Sequence, residues 1–268
     1  IVLMAGGRFS KRKTDGDHPF GLYRAKYLAS FVVATLLFFV GGFFSTSEAV
    51  KKLIAIAGDP TLRDVNRMEL LVAFIVVVIS ACLEGYGLHQ SIKEANERME
   101  RTNTPRMGVF RFWRHTKSAE LASVIMEDTL ALIGLAFAGL GIGLAIALDN
   151  EIFDALGGLM VGLVLIVGSL LLAFKSGSLL IGEAVEPDTR RKIIEAVTTT
   201  PGVERLLNMQ TVHMSEDDIL LCVKVQTSKL DRDYDVETVD KIEKAVRTAL
   251  PWYSFEIYVE PDIYSAKH

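Results

Sequence analysis

Residues 118–148 read SAELASVIMEDTLALIGLAFAGLGIGLAIAL, and two adjacent acids, Glu127 and Asp128, sit inside that apolar run. A helix needs about 20 residues to cross a bilayer, and this run is longer. A carboxylate near the middle of the hydrocarbon costs about 2.5–3.5 kcal/mol on insertion scales, so an intramembrane acid marks a functional site by default. A fold that buries this stretch has to give the acids a polar partner, water or a bound cation.

Three further runs have bilayer length: 27–44 (YLASFVVATLLFFVGGFF), 70–88 (LLVAFIVVVISACLEGYGL) and 153–174 (FDALGGLMVGLVLIVGSLLLAF). Four such runs exceed what one small soluble domain can bury. Glycines recur in the last two spans at Gly134, Gly139, Gly141, Gly143, Gly157, Gly158 and Gly162, as close helix packing in a membrane requires. The mean hydropathy of +0.31 averages two halves: residues 1–184 hold the apolar runs, and residues 185–268 carry charge throughout. Cys82 and Cys222 stand alone, so neither a thiolate cage nor a disulfide framework is indicated. Nothing suggests nucleic-acid binding.

Lys and Arg crowd residues 8–26 and 89–117, while the link Asp149–Glu151 has no basic residue. The positive-inside rule puts the two basic segments and the tail in the cytoplasm and the 149–151 link on the far side. The segment SIKEANERMER is too charged for the membrane and extends the second span into the cytoplasm. In the tail, 188–199 has helical spacing, 203–213 and 218–226 alternate like strands around a turn at Ser215–Asp218, 236–250 carries a helical stripe, and 255–259 is a last strand. The order αββαβ suggests a small antiparallel sheet with both helices on one face, α+β and ferredoxin-like.

Three stretches carry a resemblance. Asp17-His18-Pro19-Phe20-Gly21, followed by Arg24 and Tyr27, is similar to the HPxGxGRxEYL signature of the cation diffusion facilitator family. Phe153-Asp154-Ala155 resembles the start of that family's sixth helix. The tail, ending Phe255-Glu256-Ile257-Tyr258-Val259-Glu260-Pro261, resembles its cytoplasmic dimerisation domain. The resemblance implies an α-helical membrane bundle, six helices in the intact family. Here it comprises four full spans plus the end of a fifth over 1–184, with the dimerisation domain over 185–268. On that reading the chain begins near the end of the family's second helix. The family's fifth helix usually carries HxxxD, but no His lies in 119–148, as in the subgroup that includes mitochondrial zinc-transporter relatives.

The resemblance implies a proton-coupled exporter of divalent cations. Zinc is the first expectation and manganese or iron the alternatives, as transported substrate rather than resident cofactor. It also implies a homodimer in a bacterial inner membrane. The contrasting reading is a truncated, non-transporting membrane protein whose tail dimerises or senses metal. No HExxH, paired-Asp motif or Ser–Lys dyad lies in the spans, so no enzyme is expected.

The expected cation ligands are Glu127 and Asp128, with Asp128 favoured because Val124 lies four residues before it, where the family places a ligand. Glu127 has Ser123 at that spacing, and two residues four apart share a helix face. Either acid could instead be held by a polar partner on a neighbouring helix. Glu120 lies on nearly the same face, and Glu84 is a further intramembrane acid. Asp15 and His18 match part of a loop metal site whose second His position is Leu22. His18-Pro19 is otherwise expected to shape the loop, with Arg24 and Tyr27 anchoring the helix at the interface. An all-oxygen ligand set favours harder cations such as Mn²⁺. His213, in the tail, is expected at the surface beside a solvated acidic turn.

Overall fold

The computed structural model describes residues 2–10, 17–59, 65–101, 108–227 and 232–262, with backbone alone at 8–10 and 232–235. They form two compact units, 1–177 and 178–268.

In the first unit, α1 (Val2–Ser10) and α2 (Ala25–Leu36) pack together, and α2 runs through a π-helical segment (Leu37–Phe43) straight into α3 (Phe44–Gly58). The helix therefore covers 25–58, well beyond the expected span of 27–44. The π segment falls at Gly41-Gly42, where backbone meets backbone: a Cβ on Gly42 would lie 3.0 Å from the amide nitrogen of Ile166. Helices α4 (Arg67–Arg101), α6 (Ala119–Leu148) and α7 (Ile152–Ile181) complete the four helices, among the described residues, long and apolar enough to cross a membrane. As expected, α4 carries its charged extension to Arg101. A short helix that the sequence reading did not contain, α5 (Val109–His115), precedes α6.

The small residues work where two backbones meet. Gly141 of α6 and Gly157 of α7 face each other: a Cβ on Gly141 would sit 2.9 Å from Gly157 Cα and 2.8 Å from Phe153 O. Van der Waals contact of this kind holds membrane helices, since lipid gives no hydrophobic drive between them. At one end of the bundle Lys52 Nζ lies 2.5 Å from Glu151 and 2.7 Å from Asp154, and Arg67 reaches Asp149 at 3.3 Å. Lys52 and Arg67 thus share an end of the bundle with the 149–151 link. Tyr27 is 1% exposed. It is packed inside the bundle rather than anchored at an interface, because α2 turns it inward.

In the second unit, α8 (Pro187–Thr198), β1 (Val203–His213), β2 (Asp218–Thr227), α9 (Arg232–Ala249) and β3 (Ser254–Asp262) follow the expected order. The sheet is ordered β1-β2-β3, with β1 antiparallel to β2. β3 runs parallel to β2, so the sheet is mixed, not antiparallel as expected. The cause is the connection: β2 and β3 are joined through α9, the kind of crossover that parallel neighbours need. Alternate residues of β2, Ile219, Leu221, Val223 and Val225, meet Ile193 and Val197 of α8 and Ile242 and Val246 of α9 in one closed core. Burying each such side chain contributes about 1.5–3 kcal/mol.

Candidate cation site

Helix α6 starts because Ser118 caps it, its Oγ accepting from the Leu121 amide. It then presents three stripes. Leu121 and Ile125 pack with Ala95 and Met99 of α4, and Ala122, Met126 and Leu130 pack with Ala34 of α2 and Leu172 of α7. Glu120, Ser123 and Glu127 form the third.

Asp128 turns to α4. Ser91 Oγ lies 3.2 Å from Asp128 Oδ2 and 3.1 Å from Gly87 O, and its one proton can serve either acceptor. Gly87 makes room for the carboxylate, since a Cβ there would lie 3.4 Å from Asp128 Oδ2. Ser91 and Gly87 were not singled out from the sequence. The available signal was two small residues four apart, on one face of a helix that also holds Glu84.

Glu127 is half-buried and accepts no hydrogen bond among the described residues. It adjoins Asp128 in the chain. Glu84 lies on α4 three residues before Gly87, the residue that meets Asp128. Ser123 is fully buried, and its hydroxyl finds no hydrogen-bond partner among the described residues. Glu120 is exposed at the start of α6, with its Oε2 on the side of α1: a Cβ on Gly7 would lie 4.0 Å from it. No group of three or more His, Cys, Asp or Glu side chains close enough to hold a metal occurs among the described residues. His18 is exposed on the loop before α2, and Asp15 lies outside the described residues.

In the tail, His213 is not at the surface: it is 0% exposed. Its Nδ1 lies 3.1 Å from Ser215 O, and its Nε2 lies 3.8 Å from Glu186 Oε2. Its ring meets Tyr253 edge-on, and its amide donates to Glu183 O. The segment 183–186 runs alongside the end of β1 and covers it, which position in the sequence does not reveal. The acidic turn is ordered: Ser215 Oγ donates to Asp218 Oδ2 at 2.5 Å, and Met214 N–H donates to Asp218 O.

The chain is 26% identical to the mitochondrial proton-coupled zinc antiporter SLC30A9 of Xenopus laevis over 243 residues, covering 91% of this chain and 41% of that protein. It is 23% identical to the human protein of the same name, covering 80% and 36%, and 24% identical to metal tolerance protein C4 of Arabidopsis thaliana, covering 78% and 44%. The chain spans less than half the length of these relatives. Among solved structures, the nickel form of a variant MamM CTD aligns with 30% of this chain and all of its own, at 15% identity and a TM-score of 0.28. The family profile described as the cation efflux transmembrane domain matches residues 1–181, which hold the four membrane-length helices found among the described residues and the acids Glu84, Glu127 and Asp128; the chain belongs to the cation efflux family.

Proposed function

We propose that the protein exports divalent cations across a membrane in exchange for protons, as a homodimer with its tail in the cytoplasm. One observation carries this reading: two adjacent acids in the bilayer-length helix α6, Glu127 half-buried and Asp128 facing Ser91 of α4. Protons and metal compete for the same carboxylate oxygens, which is the requirement for exchange. Asp128 already has Ser91, so Glu127 is the better candidate for holding the cation, and Asp128 the better one for keeping α4 against α6. Zinc, which the relatives' names carry, is the first ion to test. Oxygen donors from Glu127 and Glu84 also suit Mn²⁺ and Fe²⁺.

The experiment is flux into proteoliposomes under an imposed pH gradient, with Zn²⁺ and Mn²⁺ tested separately. Glu127→Gln is expected to abolish flux, and Asp128→Asn to reduce it. Normal flux in both variants moves the site to Glu84. The second reading, a non-transporting membrane protein with a dimerising or metal-sensing tail, is favoured by the lack of a three-ligand group among the described residues. Wild-type chain that binds zinc yet moves neither ion would establish it.

The orientation follows from Lys and Arg placement, with a bacterial cytoplasmic membrane as the expected location. With Cys82 and Cys222, both exposed, replaced by Ser, a cysteine at Asn150 should label from outside and one at Thr199 should not. Residues 178–268 form a compact unit with a closed core of their own, and on their own they should sediment as a dimer at micromolar concentration. A strictly monomeric profile with and without zinc counts against the homodimer.

A further inference from the structure

We propose that α5 docks on the bilayer surface on the side of the basic segments and holds an anionic phospholipid there, with Arg111 and Arg114 on its phosphate. The proposal rests on the chain's place in a membrane and not on what it transports. Two observations set the depth of α5. Helix α6 has 30 residues and is about 45 Å long, the thickness of a bilayer with its headgroups. Its first turn therefore lies at headgroup level, and only Thr116, Lys117 and Ser118 separate α5 from it. On α7 the apolar run ends at Phe174, and the next residue, Lys175, donates from Nζ to Arg114 O at 3.0 Å. Both place α5 where hydrocarbon gives way to headgroups.

One side of α5 is fixed to the bundle. Phe112 packs with Ala95 and Met99 of α4, and Trp113 packs with Ala34 of α2 and Leu172 of α7. The other side is open. Phe110 is 68% exposed and Val109 38%, and the Phe110 ring stacks on Trp113 with centroids 5.7 Å apart. Arg114 follows Phe110 by four residues and shares its helix face, and Arg111 adjoins it. Both arginines are exposed, and neither guanidinium pairs with a carboxylate among the described residues. A guanidinium presents paired N–H donors that match a phosphate. A basic segment with an exposed aromatic residue suits the boundary between headgroups and acyl chains. Unneutralised cations beside an exposed apolar ring fit a phosphate that carries acyl chains. Free phosphate would leave Phe110 and Val109 in water.

The test reads lipid at Trp113. The chain has two tryptophans, so Trp252→Phe leaves Trp113, which stacks on Phe110, as the single indole. The full chain with that change is reconstituted in bilayers of phosphatidylcholine and phosphatidylglycerol. One lipid or the other carries bromine on its acyl chains and quenches the indole on contact. Phosphatidylglycerol is expected to be preferred at Trp113 about five- to thirtyfold, the range for one to two basic residues at a membrane surface. Arg111→Gln together with Arg114→Gln should remove the preference and leave the melting temperature unchanged. The corresponding lysine pair keeps the charge and should retain most of the preference. Equal quenching by the two lipids, or a preference that survives in the glutamine pair, overturns the proposal. Loss of the preference in the lysine pair as well makes the arginines structural and also overturns it. If inorganic phosphate removes the preference while chloride at equal ionic strength does not, the ligand is free phosphate and the lipid is overturned. If the glutamine pair dissociates a dimer in micelles yet keeps the preference, α5 is a contact between copies of the chain and the proposal falls.

Discussion

The tail and the membrane unit use the same apolar residue types in opposite ways. In the tail, Leu221, Val225, Ile242, Val246 and Leu250 are all at 0% exposure. In α4 of the membrane unit, Leu71, Val72, Ile75, Val76, Ile79 and Leu83 are exposed, and the inward side is where Gly87 and Ser91 meet Asp128. Water drives the tail to hide its aliphatic side chains. Lipid drives nothing comparable, so the bundle turns its aliphatic residues outward and is held by close backbone contact and polar groups. Buried polar groups do not divide in the same way: His213 Nε2 in the tail, 3.8 Å from Glu186 Oε2, and Ser123 Oγ in the bundle both lack a hydrogen-bond partner among the described residues.

The largest effect expected from this contrast is in the tail core. Leu221→Ala should cost the tail about 2–5 kcal/mol, seen as faster hydrogen exchange of the β2 amides in the full chain. Leu83→Ala, on the exposed face of α4, should leave exchange in α4 unchanged in micelles. Equal losses at both positions would erase the distinction between the two units.

Backbone contact in the bundle comes next. Gly141→Val should destabilise by about 1–3 kcal/mol through overpacking against Gly157, read as a lower melting temperature in micelles. Gly143→Ala has nothing within 4 Å of the added methyl and should change nothing.

A smaller effect is expected at Ser91. Ser91→Ala should cost about 0.6 kcal/mol, typical of one interhelical hydrogen bond in a membrane. Its effect on flux should be smaller than that of Glu127→Gln. A larger effect would return the cation to Asp128.

The smallest effect is expected on the open face of the tail sheet. There Lys224 Nζ lies 2.6 Å from Asp262 and 3.0 Å from Glu260, which hold its amine above the usual lysine value of 10.5, Asp262 most. A raised lysine stabilises fully below its unfolded value and loses that contribution as pH rises through the folded one. Lys224→Met should therefore lower the melting point slightly and equally from pH 6 to 9, with the difference fading only above 10.5.

Much of this molecule is written along one dimension. Bilayer-length apolar runs, the charged extension of α4, the αββαβ order of the tail and the acids at 127 and 128 follow from length, period and residue type, because solvent or lipid imposes these locally. Other features depend on how helices rotate and what they meet. Glu127 and Asp128 are neighbours in sequence, yet about 100° of helix turn sends one to Ser91 and leaves the other open. The parallel pairing of β3, the burial of Tyr27 and the covering of His213 by residues 183–186 likewise come from segments brought together only by folding. The sequence alone determined that acids lie within a bilayer-length apolar run. The tertiary structure decided which of them is already satisfied, because a hydrogen bond between α4 and α6 depends on the relative rotation of two helices, which the sequence of neither helix records.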